Sequence, residues 1–394
     1  LLAPTGRAAK VFSVNAGRPA FTIHRRIYRQ KTFAGESTGF SLNDNMYHDT
    51  LFIVDEASMI ANGGGGEGAV FGTGCLLDDM VSFVYGGHNC RMMIIGDMAQ
   101  LPPVGEEESP ALMADFMAGY GLKVYQCDLN EILRQASGSG ILYNATEIRS
   151  MITHDEVTRL PKITFSGFAD IRMVPGGELI EQLNSSYSEV GTDETIVITR
   201  SNKRANAYNA GIRGMVLGRE EELTTGDMLM VVRNNYYWTE KAAAEEKALE
   251  DSSTGNGDER KAESQALPFI ANGDRAMVVR VRNLREFYSL HFADVWLQFP
   301  DYDNYEIMVT AVTDSLMAEA PALTREQSER LFNGVMEDYQ DVPLKADRLK
   351  KVRQDPCYNA LQIKYAYAVT CHKAQGGQWA HIYVDQGYMT DDML

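Results

Sequence analysis

Two adjacent acids, Asp55 and Glu56, directly follow four apolar residues in the run LFIVDEASMI (51–60). Such a run is typical of a buried strand, so both carboxylates would lie at its carboxyl end. There Asp55 could hold Mg²⁺ and Glu56 could orient an attacking water, as hydrolysis of a nucleoside triphosphate requires. The plainer alternative is a solvent-facing strand end with two unrelated acids.

A second apolar run ends in Gly96 and Asp97 and continues into a loop with two prolines, RMMIIGDMAQLPPVG (91–105). The prolines stiffen this loop. The side-chain amide of Gln100 both donates and accepts hydrogen bonds, so it could sense a γ-phosphate. A turn capped by Asp97 is the structural alternative, but the stretch is long and specific, which favours the functional interpretation.

Groups that could bind phosphate recur later in the chain. Arg134, in LNEILRQ (129–135), carries a planar, permanently charged guanidinium that could reach a phosphate across a cleft. The alternative is an exposed arginine at the start of a helix. Hydroxyl, imidazole, ammonium and amide groups follow the apolar run YAYAVT (365–370), and they belong to Thr370, His372, Lys373 and Gln375. His372 could instead be a satisfied core histidine. Phe21 and Trp379 could stack on bases, but we expect core positions for both.

The elements that must position these groups are short apolar strands alternating with helical segments. The strand-like runs are LFIVDE (51–56), RMMIIGD (91–97), LKVYQCDL (122–129), TIVITR (195–200), YAYAVT (365–370) and HIYVD (381–385). Helical patterns occupy 177–190 and 201–218. This rhythm predicts a doubly wound α/β core, in which ligands bind beyond the carboxyl ends of the strands.

Three segments interrupt the rhythm. The glycine-rich stretch 63–74 predicts a mobile loop, and the polar, charged stretch 241–265 predicts an exposed or disordered excursion. Three alternating strand patterns between about 267 and 313 predict a small inserted antiparallel β unit, such as a barrel. After it, Thr324 and Gln327 form a capping box that predicts the start of a helix.

Composition limits the class of protein. A length of 394 residues predicts two to three domains, and five scattered cysteines without a C-x-x-C pair indicate reduced thiols in the cytoplasm. A net charge of −17 argues against a generic nucleic-acid coat protein but allows a narrow basic channel. The sequence shows neither a secretory signal nor an apolar run of membrane-spanning length.

Seven collinear stretches resemble the motifs of superfamily 1 helicases of the RecD/TraA type, to which the exodeoxyribonuclease V alpha subunit belongs. They are APTGRAAK with TIHR (3–10, 22–25), LFIVDEAS (51–58), GDMAQLPPVG (96–105), LNEILRQASGSGI (129–141), TRSNKRAN (199–206), ANGDRAMVV (271–279) and YAVTCHKAQGGQWAHIYV (367–384). Any one of these alone would be a weak signal, whereas seven in order over nearly the whole chain are a strong one.

The resemblance implies a role for each matching residue. Glu56, Gln100 and Arg134 would be catalytic, with Asp55 holding Mg²⁺ and ATP contacted by Asp55, Asp97, Gln100, Arg134, Gln375 and Gly376. DNA would be contacted by Pro4, Thr5, His24, Ser201, Asn202, Thr370, His372 and Lys373. The implied activity is ATP-driven translocation on single-stranded DNA and unwinding of duplex DNA, with 5′-to-3′ polarity.

The resemblance also implies two RecA-like P-loop NTPase motor domains with a small inserted β-barrel. The first would span 1–128, including a duplex-splitting pin hairpin within 26–50. The second would comprise 129–225 and 356–394. The insertion 226–355 would hold the charged excursion (241–265), the barrel (267–313) and a helical segment (320–355).

Two family motifs do not occur in this sequence. There is no G-x-x-x-x-G-K-[ST] loop to hold phosphates and no final arginine-bearing motif after HIYVDQG. We therefore expect this chain to be the middle of a longer motor and to hydrolyse ATP negligibly by itself. A catalytically silent, helicase-like nucleic-acid-binding protein is the alternative. A P-loop metabolic enzyme or kinase would have no use for TCHKAQG and LNEILRQ together. Expected partners are DNA and other recombination or repair subunits, and no membrane. No nuclease-like acidic cluster is evident.

Overall fold

The computed structural model describes residues 1–30, 40–63, 72–103, 105–129, 138–153, 160–252 and 269–387. The chain divides into two compact units. Unit 1 comprises Leu1–Pro4, Ala8–Gln182 and Gln386–Leu394, and unit 2 comprises Thr5–Arg7 and Leu183–Asp385. The domain boundaries expected from the sequence stay predictions. Within the described ranges, no helix is both long and apolar enough to cross a membrane.

Unit 1 is built on a four-stranded parallel sheet. The helices and strands of unit 1 are β1 (Leu2–Ala3), α1 (Gly6–Ala16), β2 (Phe21–Thr22), α2 (Ile23–Ile27), β3 (Tyr28–Gln30), β4 (Phe40–Leu42), β5 (Leu51–Val54), α3 (Leu76–Gly86), β6 (Arg91–Ile94), α4 (Ala114–Ala118) and α5 (Gly140–Thr153). The first two residues of α1 are assigned to unit 2. The strand order is β2-β1-β5-β6, and every pair is parallel. Apolar residues of β5, α2 and α3 form its core, including Phe52, Val54, Ile27 and Met80.

A separate two-stranded sheet supports the hairpin expected within 26–50. β3 pairs antiparallel with β4, in the register Tyr28 to Leu42. The turn signal AGESTG (34–39) lies outside the described residues. The role of this hairpin as a pin stays a prediction.

The strand expected at 122–129 is wrong. These residues form neither strand nor helix, and they are mostly exposed, with Tyr125 at 79% and Leu129 at 88%. The apolar and aromatic residues there have strand propensity, but that propensity stabilises a strand only where a neighbouring strand and a packed face are available.

Unit 2 contains a second parallel sheet. The helices and strands of unit 2 are α6 (Leu179–Glu189), β7 (Thr195–Thr199), α7 (Asn202–Gly211), β8 (Met228–Val231), α8 (Tyr237–Ser252), β9 (Arg275–Phe287), β10 (Leu290–Phe299), β11 (Tyr305–Val312), α9 (Arg325–Asp338), α10 (Lys345–Arg353), β12 (Leu361–Tyr365), β13 (Ala368–Thr370), α11 (Cys371–Ala374) and β14 (His381–Val384). The first four residues of α6 are assigned to unit 1. The sheet order is β13-β7-β14, all parallel. The predicted α/β class is therefore confirmed for both units.

Short helical turns complete the two units. A π-helical turn (Ile212–Val216) continues α7. The 3₁₀ turns are Ala57–Met59, Pro110–Leu112, Gly176–Glu178, Pro300–Tyr302 and Thr313–Ser315.

The inserted β unit is a closed barrel with the strand order β10-β11-β12-β8-β9. The predicted small barrel is confirmed, but its expected range, 267–313, supplies only β9, β10 and β11. β8 and β12 close it from outside that range, since β12 pairs with both β11 and β8. YAYAVT is also not one strand: β12 ends at Tyr365, and Ala366 and Tyr367 lead into β13 of the parallel sheet.

The charged segment 241–265 is only partly an irregular excursion. Residues 241–252 continue α8, because KAAAEEKALE is rich in strong helix formers. The remainder, and most of the glycine-rich stretch 63–74, lies outside the described residues. The predicted capping box is confirmed, since Thr324 accepts the Gln327 N–H and the Gln327 side chain accepts the Thr324 N–H.

Candidate nucleotide and nucleic-acid sites

The two acids after β5 are held by the backbone of unit 1. The Asp55 N–H donates to the Leu2 carbonyl at 2.9 Å, which ties the end of β5 to β1. The Asp55 carboxylate accepts the Glu56 N–H at 2.9 Å. Glu56 has a φ of 53°, in the left-handed region that non-glycine residues seldom adopt. Both acids are half-buried.

The same sheet edge carries the loop after β6. The Ile95 N–H donates to the Val54 carbonyl at 2.8 Å, and the Ala57 N–H donates to the Ile95 carbonyl at 3.0 Å. Gly96 follows at a close approach, where a Cβ atom would lie 2.9 Å from the Leu112 side chain. The segment that begins with Asp55 is thereby fastened to the segment that leads into Asp97.

Asp97 shapes the turn that carries Gln100. Its carboxylate accepts the Ala99 N–H at 2.9 Å, and its carbonyl accepts the Gln100 N–H at 3.1 Å. The alternative of an Asp-capped turn is therefore correct for this residue. Arg149 of α5 also donates two hydrogen bonds to the Asp97 carboxylate, at 2.9 and 2.6 Å. The sequence interpretation missed Arg149, because nothing local to α5 indicates a partner 52 residues away.

The donor set of unit 1 fits a magnesium ion that is shared with a nucleotide. Among the described residues, no group of three or more His, Cys, Asp or Glu side chains could hold a metal by itself. Mg²⁺ commonly takes one or two carboxylates and completes its shell with phosphate and water oxygens. The half-buried Asp55 carboxylate could provide one such ligand.

The remaining nucleotide residues are distributed along the chain. Arg134 lies within 130–137, outside the described residues. Gln375 and Gly376 follow α11 in unit 2, where Gly376 has a φ of 74° that favours glycine. Asp55, Glu56, Asp97 and Gln100 thus lie at one sheet edge of unit 1, and Gln375 and Gly376 belong to unit 2.

The DNA residues expected near the start of the chain have different surroundings. Pro4 follows β1 in unit 1, whereas Thr5 belongs to unit 2, and both are half-buried. His24 lies in α2, whose first turn is capped by the Thr22 hydroxyl, and its ring centroid is 5.6 Å from that of Tyr28. Burial lowers the pKa of His24, so a neutral imidazole is favoured there.

In unit 2, the expected DNA residues share one sheet edge. β7 and β13 are adjacent and parallel, with Thr199 opposite Thr370, so the segments after both strands start from the same edge. Ser201 caps α7 by accepting the Arg204 N–H at 3.3 Å, and Asn202 is the first residue of that helix. Thr370 occupies the cap position of α11.

His372 and Lys373 occupy the short helix α11. His372 is exposed, so the core-histidine alternative is wrong. Lys373 is half-buried. Its pKa is lowered to about 8, mainly by burial and to a smaller extent by the charge of Lys364. An ammonium group that is partly desolvated in this way gains from a nearby anion, which is consistent with a phosphate contact.

The two aromatic residues differ in their surroundings. Phe21 packs against the core of unit 1, as expected. Trp379 is half-buried, but it lies beside two guanidinium groups, with the Cζ atoms of Arg7 and Arg275 at 4.7 and 5.7 Å from the indole centroid. The expectation of an ordinary core position for Trp379 is therefore wrong.

Two family models match parts of this chain that include candidate residues. Residues 1–160 match the family described as AAA domain, and residues 365–394 match the UvrD-like helicase C-terminal domain. Each of the two matches covers less than half of the chain. The first match includes Asp55, Glu56, Asp97 and Gln100, and the second includes the segment from Thr370 to Gly376.

Similar solved structures include two Pif1 helicase structures. A Bacteroides Pif1 helicase in complex with ADP-AlF3 and ssDNA is 14% identical, with a TM-score of 0.43, over 100% of this chain and 78% of that chain. A structure described as showing DNA unwinding at forked dsDNA by two coordinating Pif1 helicases is 15% identical, with a TM-score of 0.44, over 100% and 83%. Likeness at this level says nothing further of the activity of this chain.

Proposed function

We propose that this chain is the motor region of a superfamily 1, RecD-type DNA helicase that couples ATP hydrolysis to movement along single-stranded DNA. The observation that carries the proposal is that two segments with candidate catalytic residues are hydrogen-bonded to each other at one sheet edge. Hydrogen bonds from Ile95 to Val54 and from Ala57 to Ile95 join the Asp55–Glu56 segment to the turn that presents Gln100. The AAA and UvrD-like matches support the same assignment.

The chemistry follows from the residue types. Asp55 would hold Mg²⁺, which when bound would neutralise negative charge on the phosphates of ATP. Glu56 would orient the attacking water and accept its proton. Gln100 would bind the γ-phosphate, and Arg134 would neutralise charge that develops during transfer.

The strand would be bound mainly by unit 2. Thr5, Ser201, Thr370 and Lys373 offer hydroxyl and ammonium groups suited to phosphates, and they would be joined by Pro4, His24, Asn202 and His372. Because the chain carries a net charge of −17, we propose a narrow contact track on an acidic body. RecD-like association with other recombination or repair subunits, in the cytoplasm, belongs to this proposal.

A catalytically silent nucleic-acid-binding protein of the same fold is the second candidate. It would bind DNA through the same residues as the motor but would not turn over ATP. In such a protein the acids after β5 would have no catalytic consequence.

ATP hydrolysis by the protein expressed from its complete gene separates the two candidates. We expect turnover that rises on addition of oligo(dT) and is abolished by Glu56→Gln. Glu147→Gln is the matched control, because Glu147 is an exposed acid on α5. Turnover that is absent in wild type, or that survives Glu56→Gln, would reject the motor.

A further inference from the structure

Trp379 lies beside the guanidinium groups of Arg7 and Arg275, and all three residues belong to unit 2. The indole packs closely over Gly377, where an added Cβ atom would lie 2.1 Å from the ring. Any larger residue at 377 would displace the indole. An aromatic ring of this kind can hold arginine side chains by cation–π contact and so orient their N–H groups.

Four N–H donors in this cluster are buried and have no acceptor among the described residues. They are Arg7 Nε, Arg7 Nη1, Arg275 Nε and Trp379 Nε1. Buried donors in folded proteins are nearly always paired, so each such group calls for an explanation. Three of them belong to the two guanidinium groups and the fourth to the indole itself, a donor set that suits an acceptor with several oxygen atoms.

The charges indicate the same kind of partner. Arg275 is 5% exposed. Its pKa is lowered to about 10, mainly by burial and to a smaller extent by the charge of Arg7. Asp301, Asp193 and Glu194 act on Arg275 in the opposite direction. Within the part of the chain that the structure describes, however, neither arginine forms an ion pair. Arg275 Nη1 donates instead to the backbone carbonyl of Asp193 at 2.8 Å. An anion would compensate both charges and supply the acceptors.

We propose that Arg7, Trp379 and Arg275 form a binding site for one phosphate group of a DNA strand, termed the Arg7–Trp379–Arg275 site. A phosphodiester offers two unesterified oxygens with a full negative charge, which match paired guanidinium donors. The choice of a strand phosphate rests on the proposed function, because a nucleotide phosphate has the same chemistry. The test therefore separates the two sources.

Trp379 fluorescence gives the first measurement. The chain contains three tryptophans, so Trp238→Phe with Trp296→Phe leaves Trp379 as the single reporter. Adding oligo(dT) should change its emission saturably, at the same concentration that saturates binding of a labelled oligonucleotide. ATP with Mg²⁺ alone should leave it unchanged. A response to ATP only would assign the site to nucleotide and overturn the proposal, as would no response to saturating oligo(dT).

Salt titration of oligo(dT) binding gives the second measurement. Arg7→Gln and Arg275→Gln should each weaken binding about tenfold. Together they should reduce the log–log salt slope by about 0.7, the value for one single-strand phosphate. The control is the double variant Arg280→Gln with Arg282→Gln, which should change neither the affinity nor the salt slope. Both arginines are exposed, and their Cζ atoms lie 5.5 and 5.7 Å from the Trp296 ring centroid.

The outcomes separate this site from the wider function. If the protein expressed from its complete gene shows DNA-stimulated ATPase while both of its site variants bind oligo(dT) normally, the proposed site is wrong and the motor assignment stands. If the control weakens binding as much as the site variants do, general charge explains the effect and the site is overturned. If wild type binds no DNA, the site and the proposed function both fail. Should the Gln variants not fold, the single-tryptophan protein decides the question.

Discussion

Arg213 donates hydrogen bonds from Nε and Nη2 to the two carboxylate oxygens of Asp227, each at 3.0 Å. Their side chains are 8% and 0% exposed. Asp227 also accepts hydrogen bonds from Arg219 at 2.7 Å and from the Tyr367 hydroxyl at 2.9 Å. Arg213 lies in the turn after α7, Asp227 precedes β8, and Tyr367 lies between β12 and β13. This buried ion pair therefore joins the parallel sheet of unit 2 to its barrel.

Removing the Asp227 carboxylate should destabilise unit 2 strongly. We expect Asp227→Ala to lower the free energy of unfolding by about 3–5 kcal/mol, because it leaves a buried guanidinium uncompensated. Urea unfolding followed by circular dichroism measures this. Asp294→Ala is the comparison, since Asp294 pairs with the more exposed Arg285, and its cost should be clearly smaller. Equal losses in the two variants would contradict the central role of Asp227.

The same carboxylate should make stability depend on pH. Burial alone would raise the pKa of Asp227, but hydrogen bonds from Arg213, the Thr224 N–H and Arg219 outweigh it and lower the pKa. Its contribution is therefore present above the unfolded-state pKa, about 4, and is lost as pH falls through the lower folded-state value. Urea titrations should show that the free energy of unfolding falls less between pH 7 and pH 3 in Asp227→Asn than in wild type. Identical drops would show that Asp227 is not the group responsible.

Lys373 should make strand binding sensitive to mild alkali. With its pKa lowered to about 8 by burial and by Lys364, its charge is lost progressively between pH 7 and pH 9. Oligonucleotide affinity should fall over this interval in wild type and much less in Lys373→Arg, which stays charged. At pH 7, Lys373→Ala should reduce the salt slope by about 0.7. Lys247→Ala, an exposed charge on α8, should do neither. The placement of the DNA track is wrong if only Lys247→Ala weakens binding.

Arg134 should act in the transition state rather than in binding. In the protein expressed from its complete gene, Arg134→Ala should lower kcat for ATP by about 10³-fold or more, with little change in KM. Steady-state ATPase assays at saturating oligo(dT) measure both constants, and Arg282→Ala is the control. A change in KM alone would assign Arg134 to ground-state binding.

Local patterns in the sequence were sufficient to predict several parts of the structure. The all-apolar run before Asp55 predicted a buried parallel strand; β5 is parallel, but only Phe52 and Val54 of its four residues are buried. The ends of two such strands predicted that the Asp55–Glu56 segment and the Asp97–Gln100 turn share an edge. The Thr324 capping box likewise depends on residues three apart.

Features made by distant residues could not be predicted in this way. The barrel closes only because β12 pairs with β8, over a hundred residues earlier in the chain. The Arg149–Asp97 ion pair spans 52 residues, and the surroundings of Trp379 bring Arg7 beside Arg275. Nothing local to these residues encodes their partners, so apolarity and propensity alone gave the wrong environment for Trp379.

Strand displacement on a forked duplex with a 5′ single-stranded tail tests the motor assignment most directly. The protein expressed from its complete gene should separate the labelled strands in the presence of ATP and Mg²⁺. Glu56→Gln should bind the fork with unchanged affinity but leave it intact, because it lacks the carboxylate that activates water. Separation of the strands by Glu56→Gln, or no separation by a wild-type protein that binds both ATP and the fork, would contradict an ATP-driven DNA motor.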